Sequence, residues 1–270
     1  MIHLVIPDTQ VRPGVPTDHL GWIGKYILDI LPDVVVHLGD HWDMPSLSQY
    51  DEGKVRMEGR RVQDDFDVGN KALRDVYVPA LEYNERKKKN KEKQYNPRWV
   101  LTLGNHENRI DRYVEANPKL QGAISVKCLD AGPFEVHPFL HPVEVDGVWY
   151  SHYFYNPMNG RPYAGMMETR IKNVGFSFTM GHQQGKKVGE RQLGNGKMQR
   201  GLVVGSCYLH DENYIGPQGN YEWRGVVVKH EVRDGNYDLM EVSLDYLCRK
   251  YEQMRLDRFL NAKYGGRMAA

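Results

Sequence analysis

The segment Leu101-Thr102-Leu103-Gly104-Asn105-His106-Glu107 decides how the chain is interpreted, because it joins a strand to three polar side chains. Residues 98–103 are apolar and β-branched enough to form a buried strand. The glycine that follows lets the backbone turn sharply at the strand end. An amide, an imidazole and a carboxylate then project from the carboxyl end of a strand, where open α/β sheets usually bind ligands.

The composition is that of an ordinary globular protein. Of the 270 residues, 40% are hydrophobic and 26% charged, which is enough apolar material for a sizeable core. The formal net charge of +1 gives no general signal for binding nucleic acid or membrane, although a local basic groove stays open.

Cysteine use and the amino end together predict a cytoplasmic protein. Cys128, Cys207 and Cys248 are scattered, which fits packing roles in a reducing compartment. Residues 2–7 show no signal-peptide pattern, and no apolar run approaches the roughly 20 residues that span a bilayer. We therefore expect no membrane association.

The first forty residues predict a βαβ unit. Residues 2–6 and 33–38 are short apolar runs typical of buried strands, and the second run ends in Gly39 and Asp40. Between them, Thr17 and Asp18 offer a helix N-cap before apolar residues at helical spacing. Such a unit implies a parallel strand pair with a right-handed crossover.

Helices are predicted on both sides of the third strand. A long one runs roughly from Arg60 to Asn90 and ends in the charge run 86–93. That run indicates a solvated helix end, with a nucleic-acid contact as the less favoured alternative. A short amphipathic helix is expected at 108–115, directly behind the polar segment.

The second half of the chain has a mostly β pattern, with a hairpin at 143–150 around Asp146 and Gly147. A helix is predicted at 165–173 and a carboxy-terminal helix at about 245–264. Further strands, predicted to close a second sheet, lie at 176–180, 201–205, 224–232 and 237–244. We therefore predict one α/β domain over residues 1–270, with two packed mixed β-sheets flanked by helices.

Five predicted strands end in polar residues, at 8–10, 39–40, 104–106, 151–152 and 181–184. A single strand-end histidine is more often a satisfied hydrogen-bonding group than a ligand, but five such ends in one fold are hard to explain by packing. Together they supply carboxylate, amide and imidazole ligands without a thiolate. This set suits Mn²⁺, Fe²⁺, Zn²⁺ or Mg²⁺ better than a structural zinc site.

The order of these motifs resembles the calcineurin-like metallophosphoesterase superfamily. Its pattern is Asp-x-His, Gly-Asp, Gly-Asn-His-(Asp/Glu), a lone His and Gly-His-x-His, and it is followed here over residues 8–184. A narrower likeness is to phage- or prophage-type members. The resemblance implies a four-layer α/β/β/α sandwich and a metal-dependent hydrolase of phosphoesters.

The resemblance also implies a two-metal site. Asp40 would bridge the two ions, Asp8 would bind the first, and the second would be completed by Asn105, His152 and His182. A metal-activated water would attack phosphorus in line, and His106 would donate to the phosphoryl or leaving-group oxygen. Glu107 would be an orienting or structural carboxylate.

The sequence departs from that pattern twice, with Gln10 and Gln184 at positions where the family has histidine ligands of the first metal. Amide oxygens are weaker and harder ligands than imidazoles. We therefore expect a weak first site, with Gln10 and Gln184 as candidate ligands and Mn²⁺ as the favoured ion. Mg²⁺, Fe, Zn²⁺ and Ni²⁺ are the alternatives.

Substrate contacts are expected from His41, Arg109 and His210. The alternative is buried hydrogen bonding for His41 and a salt bridge for Arg109. Aromatic and basic residues crowd the loops near the motifs, which favours a phosphodiesterase or nuclease acting on a nucleotide or nucleic acid. Two alternatives stay open. One is a protein or small-molecule phosphomonoesterase, and the other is a non-catalytic binding module with a degenerate first site.

Overall fold

The structure is a computed structural model that describes residues 1–266, apart from the side chains of Asn213 and Pro217. Its strands are β1 (His3–Ile6), β2 (Val34–His37), β3 (Arg98–Thr102), β4 (Glu135–His137), β5 (Val143–Val145), β6 (Val148–Ser151), β7 (Tyr155–Asn156), β8 (Arg161–Pro162), β9 (Phe178–Met180), β10 (Lys187–Gln192), β11 (Met198–Val203), β12 (Gly225–Arg233) and β13 (Asn236–Ser243). Its α-helices are α1 (Asp18–Ile30), α2 (Val62–Lys89), α3 (Asn108–Ala116), α4 (Met167–Val174), α5 (Gly216–Asn220), α6 (Leu244–Glu252) and α7 (Leu256–Tyr264).

Two mixed sheets form the centre of the molecule. The first has the order β13-β12-β1-β2-β3-β4, in which β1 to β4 are parallel and β12 runs antiparallel to β1. The second has the order β10-β11-β9-β6-β5, with β9 parallel to both β6 and β11. The predicted α/β fold with two mixed sheets is confirmed.

The packing has four layers because both faces of each sheet are covered. Along β1, Leu4 and Ile6 face a core shared with α1, α2, α6 and α7, whereas Val5 faces the other sheet. Alternate residues of a strand point to opposite faces, so an uninterrupted apolar run is buried on both sides. On the outer face of the second sheet, Met167 and Ile171 of α4 pack against Phe178.

Two details of the second half correct the sequence analysis. The strands predicted at 224–232 and 237–244 extend the first sheet, because β12 pairs with β1 through His3 and Lys229. The carboxy-terminal helix is two helices, since Gln253 adopts a left-handed conformation with φ of 56° after α6. Asp245 accepts a hydrogen bond from the backbone N–H of Leu256 and so anchors the start of α7.

The edge strand β10 is absent from the sequence prediction, and its residues are mostly exposed, so they show no apolar alternation. The predicted helices in the first half agree with α1, α2 and α3 to within about two residues. Within residues 1–266, no helix combines the length and apolar character needed to cross a membrane.

The topology brings the polar strand ends to one place. Asp8, Asp40 and Asn105 follow the carboxyl ends of the adjacent parallel strands β1, β2 and β3, while His152 and His182 follow β6 and β9 of the facing sheet. A cleft of about 840 Å³ opens over this edge. It is the position at which α/β sheets usually bind ligands.

Candidate metal centre

Four side chains converge at the base of the cleft, and we call them the imidazole half of the centre: Asp40, Asn105, His152 and His182. Ligand atoms of Asp40, His152 and His182 all lie within 4.8 Å of one another. Oδ1 of Asn105 lies 2.9 Å from Nε2 of His152 and 2.8 Å from Nδ1 of His182. One cation can therefore reach a carboxylate, an amide oxygen and two imidazoles.

The orientation of His152 is set from behind. Its Nδ1 lies 2.8 Å from the backbone oxygen of Leu38, and a proton on Nδ1 donated there leaves Nε2 free to face the centre. Nε2 also lies 3.2 Å from Oδ2 of Asp40. The side chain is fully buried, so this arrangement is held by packing as well as by hydrogen bonds.

Local backbone strain coincides with the centre. Gln10, Asp40 and His182 all have positive φ, at 42°, 48° and 64°, and none of them is glycine. Such conformations cost on the order of 1–3 kcal/mol each and usually persist where function requires them. They aim side chains from three different strand ends at one point.

Two motif glycines leave room for the carboxylates. A Cβ on Gly104 would lie 2.1 Å from Oδ1 of Asp40, and a Cβ on Gly181 would lie 2.3 Å from Oδ1 of Asp8. Any larger residue at either position would displace a carboxylate. The glycines in these motifs therefore serve the site directly.

The remaining ligand candidates, Asp8, Gln10 and Gln184, form the amide half of the centre. Oδ1 of Asp8 accepts a hydrogen bond from the backbone N–H of His182, but its buried Oδ2 has no hydrogen-bond partner. The buried Oε1 of Gln10 has none either. Two buried oxygens without donors fit a cation, because an unsatisfied acceptor is costly to bury.

Burial and neighbouring charges have opposite effects on the pKa values of the two carboxyl groups in the centre. Burial raises the pKa of Asp8 to about 7, against the opposing effect of His152. Burial also disfavours charge on Asp40, yet His106 and His152 outweigh it and hold the pKa of Asp40 below its usual value. Burial lowers the pKa of His182 to about 4, so that side chain is a neutral imidazole near pH 7.

His106 lies beside the centre and is held by Asp43, a residue that the sequence analysis missed. Its Nδ1 lies 2.5 Å from Oδ1 of Asp43, and its Nε2 lies 3.7 Å from Oδ2 of Asp40. Burial opposes a charge on His106, but Asp40 and Asp43 together raise its pKa. The signal for Asp43 in the sequence is a carboxylate three residues after Asp40, in the same loop.

Glu107 holds the loop that carries Asp40. Its carboxylate accepts hydrogen bonds from four backbone N–H groups, those of Asp40, His41, Trp42 and Gly104. It is fully buried and does not line the cleft. The structural role expected for this carboxylate agrees with these contacts.

The three predicted substrate contacts have different outcomes. Arg109 lines the cleft, with Nη2 3.2 Å from Nε2 of His106. His41 does not, because it is fully buried and its two ring nitrogens contact Thr9 and the backbone oxygen of Gly69. His210 is also fully buried, with Nε2 2.8 Å from Glu212. The structure therefore places both histidines in buried hydrogen-bond networks and outside the lining of the cleft.

The outer part of the cleft is basic. Lys54, Arg56 and Arg60 line it beside a single carboxylate, Asp51, which contacts both arginines. Tyr50 also lines this wall and is 81% exposed. We call the six residues of this segment that line the cleft the basic arm: Ser48, Tyr50, Asp51, Lys54, Arg56 and Arg60. It combines an excess of positive charge with an exposed aromatic ring next to the candidate metal centre.

Comparison with known proteins adds little to this geometry. No family model matches the chain, and a search of curated proteins finds no match. Among solved structures, the chain is similar to that of YfcE, described as a phosphoesterase from E. coli, with 11% identity and a TM-score of 0.41. That match covers 90% of this chain and 100% of the YfcE chain. Similarity this low transfers no activity, so function is argued below from the residues themselves.

Proposed function

We propose that the chain is a metal-dependent phosphoester hydrolase, of phosphodiesterase or nuclease type, with a two-metal site. The observation that carries the proposal is the convergence of Asp40, His152 and His182 within 4.8 Å at the base of a cleft. The adjacent amide half, with its two unpartnered buried oxygens, supports a second cation position. Mn²⁺ is the ion we favour for the pair, because the ligand set mixes carboxylate, amide and imidazole.

Divalent ions bound there would acidify a water and offset charge on phosphoryl oxygens. The chain's own residues supply the rest of the chemistry. Asp40 contacts residues of both halves: its Oδ2 lies 3.2 Å from Nε2 of His152, and its backbone carbonyl oxygen accepts a hydrogen bond from the backbone N–H of Gln10 at 2.9 Å. A carboxylate in that position is suited to hold both ions.

His106 is the proposed proton donor to the phosphoryl or leaving-group oxygen. Asp43 engages its Nδ1, so Nε2 is the atom left toward the cleft. Asp40 and Asp43 raise the pKa of His106, a shift in the direction that a proton donor needs. Arg109 lies beside Nε2 and is positioned to bind a phosphoryl oxygen.

The substrate class we favour is a nucleotide or nucleic acid. The basic arm offers cations for a second phosphate, and Tyr50 offers an exposed ring for a base. A cleft of about 840 Å³ is far larger than a single phosphoryl group needs.

The activity is tested with bis(p-nitrophenyl) phosphate at about 1 mM Mn²⁺, comparing wild type with Asp40→Ala. Asp238→Ala, at an exposed position on β13, is the matched control. We expect turnover in wild type and the control but not in Asp40→Ala. Equal rates in all three proteins would refute the hydrolase, and a preference for p-nitrophenyl phosphate would favour the monoesterase alternative.

The substrate class is tested by replacing Lys54 and Arg56 together with alanine. We expect kcat/KM for a single-stranded oligonucleotide to fall by about tenfold or more, with a weaker dependence on salt, because phosphate contacts are lost. The small diester should be hydrolysed at the wild-type rate. Equal loss on both substrates would show that the arm supports the fold and does not bind nucleic acid.

A further inference from the structure

We infer that Tyr214 is a positioning residue for the first cation, holding the Gln10 amide so that its oxygen is presented as a ligand. Gln184, by contrast, is a supporting residue and not a ligand. The first cation position then consists of oxygen atoms from Asp8, Gln10 and Asp40. The inference rests on the proposed function, because it concerns the amide half of the same centre.

Gln10 is held by two hydrogen bonds. Its backbone N–H donates to the backbone carbonyl oxygen of Asp40 at 2.9 Å, and its side-chain Nε2 donates to the Tyr214 hydroxyl at 3.1 Å. Its backbone also adopts a left-handed conformation, with φ of 42°. The nitrogen and oxygen of a carboxamide diverge from one carbon, so fixing Nε2 on Tyr214 also fixes the direction of Oε1. That oxygen is buried and has no hydrogen-bond donor.

Asp8 supplies the second oxygen in the same condition. Its Oδ1 is occupied by the backbone N–H of His182, while Oδ2 is buried without a donor. A protein rarely buries an acceptor without a donor unless something positive meets it, and Asp8 and Gln10 each bury one. Carboxylate and amide oxygens without imidazole are the ligands of hard cations such as Mg²⁺ and Mn²⁺.

Gln184 is engaged differently. Its Oε1 accepts a hydrogen bond from the Tyr208 hydroxyl at 2.9 Å, and its Nε2 donates to Tyr214 at 3.4 Å. One of the two lone pairs of this amide oxygen is therefore already in use, whereas Oε1 of Gln10 accepts no hydrogen bond. This arrangement opposes the ligand role expected for Gln184 from the sequence and makes it a second hydrogen-bond partner of Tyr214.

The two tyrosines differ in how firmly they are fixed. Tyr208 is buried, stacks on His210 at 4.7 Å between ring centroids, and lies beneath the Arg224 guanidinium. Tyr214 comes from the short 3₁₀ helix Asn213–Ile215, lines the cleft and is 63% exposed. Its hydroxyl accepts hydrogen bonds from the side-chain Nε2 atoms of both glutamines. The orientation of the Gln10 side-chain amide thus depends on an exposed residue that lines the cleft.

The test is equilibrium Mn²⁺ binding to the full chain, followed by electron paramagnetic resonance of free Mn²⁺. Tyr214→Phe removes the hydroxyl and keeps the ring, and Tyr221→Phe is the matched control, since Tyr221 is 82% exposed nearby. We expect the weaker of two Mn²⁺ sites to lose about 10- to 100-fold in affinity in Tyr214→Phe, as is typical when the partner of a ligand is removed. The tighter site and the Tyr221→Phe protein should be unchanged.

Two further variants separate the glutamines. Gln10→Ala should abolish the weaker site, whereas Gln184→Ala should leave it within about threefold of wild type. In Tyr214→Phe, adding Gln10→His should restore binding, because an imidazole does not need the tyrosine hydroxyl to present its nitrogen. Failure of that rescue, or a larger loss from Gln184→Ala than from Gln10→Ala, would overturn the assignment.

The outcomes also distinguish this inference from the proposed function. If wild type binds two Mn²⁺ ions and Tyr214→Phe binds them equally well, Tyr214 has no positioning role but the hydrolase proposal stands. If wild type binds a single ion, the inference and the two-metal form of the proposal both fail. If it binds none, the whole metal centre is refuted.

Discussion

In both halves of the centre the candidate ligands follow the ends of β-strands, but the two halves differ in ligand chemistry. In the imidazole half, the ligand atoms of Asp40, His152 and His182 converge within 4.8 Å. In the amide half, Asp8 and Gln10 each present one unpartnered oxygen, and Gln184 is bound to Tyr208. The imidazole half thus gathers four candidate ligands, whereas the amide half offers fewer, and its two glutamines are hydrogen-bonded to tyrosines.

The difference teaches how affinity can be divided within one centre. A site with several preorganised ligands holds its ion firmly, whereas a site with few hard oxygen ligands leaves much of the coordination to water. We therefore expect one ion to be retained through purification and the other to exchange. Each of the following changes tests that division.

The largest effect is expected from Asp40→Ala, because we propose this carboxylate as a ligand of both ions. Loss of metal electrostatics amounts to several kcal/mol, so turnover should fall by about 10³-fold or more. Elemental analysis should show loss of both ions. A variant that keeps the tight ion would mean that Asp40 belongs to the amide half alone.

His106→Gln should separate chemistry from metal binding. A proton donor contributes roughly 10²- to 10⁴-fold, so kcat should fall by that factor while metal content stays at the wild-type value. The measurement is kcat alongside metal content of the same sample. Parallel loss of both would place His106 among the ligands, contrary to its contact with Asp43.

Gln10→His should make the amide half resemble the imidazole half. An imidazole is a better ligand than an amide oxygen for Zn²⁺, so the weaker site should bind Zn²⁺ about tenfold more tightly or better. Competition between Zn²⁺ and Mn²⁺ measures the shift. The same competition in a Gln63→His variant should match wild type, because Gln63 is exposed on α2 and does not line the cleft.

Both halves can be compared only while the protein is folded, and His19 lowers the stability of the fold at acidic pH. Burial lowers the pKa of His19 to about 3, against the opposing effects of Asp18 and of the Cys207 backbone. Below about pH 6.5 the His19 side chain is therefore protonated in the unfolded chain but still neutral in the folded chain. The free energy of unfolding consequently falls as pH drops from 6.5 toward 3.

The size of this effect is at most about 1.4 kcal/mol per pH unit for one such group. His19→Gln should reduce the slope of unfolding free energy against pH in that window, measured by denaturant titration. The exposed His141→Gln should leave the slope unchanged. An unaltered slope in His19→Gln would mean that this side chain is protonated in the folded state.

Local sequence signals predicted much of the fold and the imidazole half. Strands β1 to β3 and helices α1 to α3 are short-range patterns, and their polar ends identify Asp8, Asp40 and Asn105 as neighbours. The assignment of β12 to the first sheet could not be predicted in this way. That pairing joins His3 to Lys229, and no local pattern specifies so distant a partner.

Contacts between residues that are distant in the sequence also limit what could be predicted of the site. Asp43 could be found by its spacing from Asp40, but Tyr208 and Tyr214 approach the glutamines only through tertiary structure. His41 shows the opposite error, because a histidine next to a ligand in the sequence turns away into a buried hydrogen-bond network. Adjacency in sequence reports the strand end but not the direction of the side chain.

The most direct test of the two-half account is to titrate Mn²⁺ into dialysed protein while measuring metal binding and bis(p-nitrophenyl) phosphate turnover on the same sample. We predict about one retained ion, and turnover that rises along the binding curve of a second, weaker ion. Full turnover with only the retained ion, or two sites of equal affinity, would contradict the account.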